Sequence, residues 1–219
     1  MNHMATGQSH PAPLPTGERI GNPFSTRFTR PGAIPYCFAD GDSAASPIER
    51  LQAAGWWGEI VGPHGSGKST LVAALVRELE RAGRQVVLVT LRDGQRALGV
   101  DLRRTVSSGI PTQIIVDGYE QLSRWSRWRL KRQCRRHGWG LLVTSHEPAG
   151  LATVAGTAPS LELAQALVAQ LTAGSASPIT PADVAAAYAA HRGNLREMLF
   201  GLYDLHDARV ASDAAKRGY

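Results

Sequence analysis

The chain has 219 residues, 24 Lys and Arg against 18 Asp and Glu, and a formal charge of +6; 43% of its residues are hydrophobic and 19% charged, a balance that allows an ordinary core and argues against global disorder. At about 100–200 residues per domain this is one full domain with room for a small second one. Cys37 and Cys134 stand far apart with no CxxC spacing, which excludes a disulfide scaffold and a zinc module and fits a reducing cytoplasm. No run reaches the roughly 18–20 apolar residues of a membrane span, and the opening MNHMATGQSHPAPLPTGER has no apolar stretch of the secretory kind.

Residues 1–35 hold six of the thirteen prolines (Pro11, Pro13, Pro15, Pro23, Pro31 and Pro35) and no hydrophobic periodicity, so a tail is expected there, disordered or draped over the surface. The core is expected over 36–157. It opens with a short helix that has Ser46 as N-cap and Pro47 in its first turn. An alternating series follows: strand 56–61, helix 68–82 ended by Gly83, strand 85–91, weak helix 101–109, strand 112–117, helix 120–137, strand 139–145 and a short fifth strand, 151–156. Apolar strands alternating with helices predict a parallel sheet covered on both faces. From 158 to 210 the composition turns to Ala-rich helices, one with Thr180 as N-cap and Pro181 at its first position, and 211–219 is read as a C-terminal tail.

The strongest signal is Gly62-Pro63-His64-Gly65-Ser66-Gly67-Lys68-Ser69-Thr70, which fits GxxxxGK[ST] and sits between a predicted strand and a predicted helix. Glycines at 62, 65 and 67 let the backbone turn so that successive N–H groups point at phosphate oxygens. Lys68 places a cation on the β- and γ-phosphates, the Ser69 hydroxyl ligates Mg²⁺, and the helix N-terminus adds its dipole. Ile114-Ile115-Val116-Asp117 ends a neighbouring strand in an acid that faces the ligand crevice; Asp117 there holds Mg²⁺ through water, or caps the next helix. Glu120 either orients an attacking water as general base or complements the following helix dipole. Thr144-Ser145-His146 close the fourth strand with polar groups within reach of a γ-phosphate, or as plain loop caps.

With these elements in order the chain resembles the P-loop NTPases of the additional-strand division, and the AAA+ and STAND ATPases in particular, over roughly residues 46–205. Residues 62–69 match Walker A and Gln113–Asp117 match Walker B, while Leu142-Val143-Thr144-Ser145 is similar to sensor 1. Gly193-Asn194-Leu195-Arg196-Glu197 looks like the sensor 2 segment of an AAA+ lid, and the resemblance implies that Arg196 contacts the γ-phosphate and that Ser145 reports on it. Gly118 stands where AAA+ proteins carry a glutamate. Asp117-Gly118-Tyr119-Glu120 is closer to the extended Walker B of NACHT-type STAND proteins, and His146 replaces the arginine those carry after Thr-Ser. Only His146–Gly150 separates sensor 1 from the fifth strand, so the helix and arginine finger of an AAA+ ring are missing and a ring hexamer is not expected. The ABC signature and a guanine-specificity NKxD are absent. A small-molecule kinase shares the loop and the size; of the Arg-rich lid it would need, Arg192, Arg196 and Arg209 are the candidates.

Between Gln121 and His137 stand seven basic residues and no acid: Arg124, Arg127, Arg129, Lys131, Arg132, Arg135 and Arg136. Leu122, Ser126, Leu130 and Cys134 recur every four residues and face the sheet, leaving Arg124, Arg127, Lys131 and Arg135 as an outer stripe with Arg132 and Arg136 beside it. Trp125 and Trp128 are interleaved, to stack on bases or to cover the core edge. This face is either a surface for nucleic acid or an acidic protein partner, or a solvated face. Its seven charges exceed the whole net charge, so basicity is local.

The expectation is therefore an α/β parallel-sheet core of about five strands with a helical lid at 158–210. Its expected function is that of a cytoplasmic, Mg²⁺-dependent ATPase that favours ATP over GTP. Residues 62–70 cradle the nucleotide, Ser69 and Asp117 hold the metal, and Lys68, Asp117, Glu120, Ser145 and Arg196 form the catalytic set. A small-molecule phosphotransferase and a non-catalytic nucleotide switch are the alternatives.

Overall fold

The structure, a computed structural model, describes residues 21–38, 43–174 and 176–217. In chain order the elements are α1 (Thr26–Thr29), α2 (Ala45–Ala53), β1 (Trp57–Val61), α3 (Lys68–Arg81), β2 (Gln85–Thr90), α4 (Leu102–Thr105), β3 (Thr112–Asp117), a 3₁₀ turn (Tyr119–Gln121), α5 (Arg124–His137), β4 (Gly140–Ser145), β5 (Ala152–Gly156), α6 (Leu161–Thr172), α7 (Pro181–Ala190) and α8 (Leu195–Arg217).

The five strands form one sheet in the order β2-β3-β4-β1-β5, and every pairing is parallel. Strand β4 is inserted between β1 and β3. Val61 is in register with Ser145, and Val116 with Val143, so the loop after β1 and the acid ending β3 emerge at one edge with β4 between them. The expected parallel α/β fold of five strands is the one observed.

Strands β3 and β4 are buried throughout, which is why their sequences are apolar at successive positions. Alternation sends Ile114, Val116, Leu141 and Val143 to the layer made with Leu130 and Cys134 of α5. Ile115 and Leu142 go to the opposite layer, with Leu71, Leu75 and Leu79 of α3 and Leu51 of α2. A buried acid on β1, Glu59, ties down the turn before β5 by accepting from Ala149 N at 2.7 Å and Leu151 N at 3.2 Å. Residues 146–151 contain no helix.

A third core joins α6, α7 and α8 through Val168, Leu171, Val184, Met198 and Leu202. Phe24 and Ile34 are buried inside it, which corrects the tail reading for 21–35; residues 1–20 lie outside the described residues. The apolar side chains of a proline-rich stretch need no periodicity to fill a gap in someone else's core. At the other end α8 continues through Arg217, where a tail was expected from 211, while 218–219 lie outside the described residues.

Two helix starts also differ. Ala44, not Ser46, precedes α2, placing Pro47 in its first turn. The helix expected from Glu120 is two pieces: Glu120 belongs to the 3₁₀ turn, and α5 begins at Arg124 behind the N-cap Ser123, whose hydroxyl accepts from Ser126 N. Tyr119 is buried at the head of that turn. Among the described residues no helix is long and apolar enough to cross a membrane.

Candidate nucleotide site

After Val61 the chain turns through Gly62–Gly67 into α3. Gly65 and Gly67 have φ of 67° and 94°, conformations that a side chain would resist, and Gly67 is the N-cap of the helix. Two glycines are further fixed by neighbours. A Cβ on Gly62 would strike Thr157, and one on Gly65 would strike the Asn194 amide. Ser66 Oγ lies 2.6 Å from Thr157 Oγ1 and donates to Pro63 O at 2.8 Å, bracing the turn.

Lys68 Nζ folds back into the loop, donating to Gly62 O at 2.6 Å and Pro63 O at 2.8 Å. Burial pushes its pKa down, Glu120 and Asp117 pull it up, and Arg196 pushes it down again. Three charged side chains from three elements therefore converge on this ammonium.

At the end of β3, Asp117 Oδ1 accepts from Thr144 Oγ1 at 2.6 Å, and that hydroxyl accepts from Gly118 N at 2.9 Å. Thr144, not Ser145, lines the cavity. Successive side chains on a strand point to opposite faces, so Ser145 Oγ is buried on the other side with no hydrogen-bond partner. Gly118, with φ 86°, turns the chain so that Glu120 comes back to the site.

Glu120 Oε1 lies 2.8 Å from His146 Nε2, and Glu120 Oε2 is buried without a partner. His146 Nδ1 lies 3.2 Å from Lys68 Nζ. Nδ1 also lies 3.3 Å from Gly62 O, while Nε2 faces a carboxylate, which can only accept, so Nε2 carries the proton given to Glu120. The His146 ring lies against that of His64, with centroids 3.5 Å apart at 32°. His146 thus links β4, the phosphate loop and the acid of the 3₁₀ turn.

The helical part closes over this edge. Asn194 Oδ1 accepts from Arg196 N at 3.1 Å and Glu197 N at 3.2 Å, capping α8 while its amide rests on Gly65. The cavity, open to solvent on one side, is about 780 Å³, within the range of small-ligand sites. Its polar lining comes from His64–Thr70, Asp117, Glu120, Thr144, His146 and Arg196; its apolar lining includes Pro31, Ile34, Tyr36, Leu163, Leu167 and Leu199.

The fold thus gathers nearly all the sequence-derived residues around one cavity. Gly62, Pro63 and Ser145 do not line it; the carbonyls of Gly62 and Pro63 hold the Lys68 ammonium, and Ser145 faces elsewhere. Thr144 and His146 were expected with Ser145 as polar groups near a γ-phosphate, and Asn194 within the segment resembling sensor 2, but none of the three with the contacts it makes here. The wall from 31–37 was not expected; its signal was slight, aromatic and proline residues in an aperiodic stretch.

Among the described residues no group of three or more His, Cys, Asp or Glu is placed to hold a metal. One hydroxyl and one carboxylate, Ser69 and Asp117, face the cavity beside the phosphate loop. That sparse, all-oxygen set suits Mg²⁺, which keeps waters and takes phosphate oxygens instead of a full protein cage.

No protein-family model and no curated protein matches the chain. Solved structures do. The chain is similar to the Thermotoga maritima RuvB Holliday junction branch migration motor, with TM-score 0.54 and 14% identity over 77% of this chain and 62% of that one. It is similar to a DNA replication initiation factor, with TM-score 0.57 and 13% identity over 84% and 66%. A third is the replication initiator DnaA bound to AMPPCP and single-stranded DNA, with TM-score 0.54 and 14% identity over 84% and 67%. The likeness is one of fold, a five-stranded parallel α/β sheet flanked by helices. The chain spans about three-fifths of the length of the RuvB structure it matches.

Proposed function

We propose that this protein binds ATP with Mg²⁺ and hydrolyses it. The observation that carries the reading is the convergence of Lys68, Asp117, Glu120 and Arg196 on one cavity behind a glycine loop of the phosphate-binding type. The match to DnaA, a protein captured with an ATP analogue, supports it at the level of fold.

The loop N–H groups and the α3 N-terminus receive the phosphates, and Lys68 exchanges its two loop carbonyls for phosphate oxygens. The apolar wall of Ile34, Tyr36 and Leu167 takes the base; a purine without a required NKxD partner favours ATP over GTP. Ser69, and Asp117 through water, hold Mg²⁺, which when bound neutralises charge on the phosphates. Thr144 fixes the Asp117 carboxylate by its short hydrogen bond. Glu120 takes the proton of the attacking water, and its unpartnered Oε2 is the oxygen free to do so. Arg196 reaches the γ-phosphate from α8, so closure of the helical part completes the charge balance. That makes 158–217 a lid.

Phosphate release from ATP with Mg²⁺ and no other acceptor tests this reading, alongside equilibrium binding of a fluorescent ATP analogue. Release is expected in the native chain and is lost in Lys68→Ala. Turnover that requires a small-molecule acceptor overturns hydrolysis in favour of phosphotransfer, and binding without turnover leaves a nucleotide switch.

A further inference from the structure

The residues that line the nucleotide site include none of α5. The outer face of that helix is a separate feature. Trp125 and Trp128 are 63% and 57% exposed, a rare fate for indoles on a helix whose other side is packed into a core. Arg129 lies over the Trp125 ring at 5.4 Å and Arg132 over the Trp128 ring at 5.7 Å, so each indole is paired with the arginine one turn on. Arg136 continues the row, giving a ridge about 16 Å long with the two indoles toward its N-terminal end and the three arginines following.

This ridge is not the stripe expected from spacing alone. Arg127 is half-buried, donating to Leu122 O at 3.0 Å and Glu120 O at 2.8 Å, and with Lys131 it lies over the Tyr119 ring. Arg135 turns to Trp57, 5.2 Å from its ring centroid. These three flank the helix, and the outward ridge is Trp125, Trp128, Arg129, Arg132 and Arg136. Among the described residues none of the seven bases of α5 is in an ion pair with an acid.

We infer that the outer ridge of α5 is a docking surface for single-stranded nucleic acid. Charge complementarity calls for a polyanion, since cations without internal partners gain by releasing a polyanion's counterions. The indoles narrow the choice. An acidic peptide has no flat π-face for them, and in a duplex the base faces are already stacked on each other. A single strand offers both a phosphate at each step and an unstacked base to lay on each ring. A second copy of the chain would bring the same positive ridge and be repelled.

The test is fluorescence anisotropy of the full chain with labelled dT20 and rU20, a duplex of equal length, and polyglutamate as competitor, at two salt concentrations and without nucleotide. The single strands are expected to bind more tightly than the duplex, polyglutamate to compete weakly, and the two strands to rank as DNA or RNA reader. Trp125→Ala and Trp128→Ala are each expected to weaken binding about tenfold, with Phe at the same positions recovering part of the loss. Arg129, Arg132 and Arg136 changed together to Ala should cut the salt slope by about 2. Both indoles are surface groups, so thermal melts of these variants should match the native chain. No binding of either strand, equal binding of duplex or polyglutamate, or affinity unchanged by loss of the indoles overturns the inference. Lys68→Ala binding the strands normally would keep this surface distinct from the nucleotide reading.

Discussion

Glu120 and His146 meet at 2.8 Å across the mouth of the phosphate loop, and the second Glu120 oxygen is buried beside them with nothing to accept from. The pair comes from two separate loops, one after β3 and one after β4. The histidine also touches the Lys68 ammonium, so the proposed base, the phosphate-binding cation and the loop are held by one ring.

If Glu120 is the general base, Glu120→Gln keeps the shape and removes the basicity. Phosphate release is expected to fall by about 10²–10⁴-fold while ATP-analogue binding stays within a few-fold of native. His146→Ala should lower kcat by a smaller factor, about tenfold, with KM little changed, because it orients the acid without replacing it. A His146 variant as inactive as the Glu120 one would assign the base to the wrong residue.

Gly65 has room for no side chain because the Asn194 amide occupies that space. Gly65→Ala should push the α8 start off the loop and weaken nucleotide-analogue binding at least tenfold. Asn194→Ala removes the α8 cap and should cost about 1 kcal/mol of stability in urea unfolding. Unchanged binding in Gly65→Ala would mean that the helical part does not contribute to the cavity.

The two cysteines should report on different regions. Cys134 is fully buried on the inner face of α5 and its thiol is pushed up to about 12 by burial, so a thiol reagent at pH 8 is expected to miss it until the chain unfolds. Cys37 is partly exposed on the cavity wall, and burial raises its pKa as well. One slow-reacting thiol is expected in the native chain, with ATP slowing it further. Lack of protection by nucleotide would place the base elsewhere.

In the helical part Asp183 closes a capping box with Thr180 and receives a two-pronged bond from Arg209, at 2.6 and 2.7 Å, joining α7 to α8. Arg209 first, then Thr180, hold its carboxyl well below the usual range. A depressed folded pKa stabilises above the unfolded value of about 4 and is lost as pH falls below it. Asp183→Asn should therefore lower the melting temperature by about 2–4 °C at pH 7. That gap should begin to shrink below about pH 4 and go on shrinking toward the depressed folded value; a gap as wide at pH 2 as at pH 7 would trace the loss to packing instead of charge.

Local chemistry made much of the molecule legible in advance. A glycine loop ending in Lys68-Ser69 between a strand and a helix needs only neighbouring residues to be recognised, and the uninterrupted apolar runs of β3 and β4 announce strands buried on both faces. Asp117 and Glu120 follow from their distance along the chain from those runs. What spacing could not supply was any fact that depends on distant segments meeting. Whether Thr144 or Ser145 faces the cavity is decided by the register of β4 against β3, since one residue of shift exchanges the two faces. The ridge on α5 is rotated from the expected stripe because Tyr119, ahead of the helix, captures Arg127 and Lys131. Phe24 and Ile34 join a core 130 or more residues away without any periodic signal, because a short segment filling a gap is selected for its bulk at single points. The sequence by itself determined the kind of strand, helix and loop this chain forms and the chemistry of its phosphate loop; the packing of remote segments decided which side chains surround that loop and which face of α5 stands open.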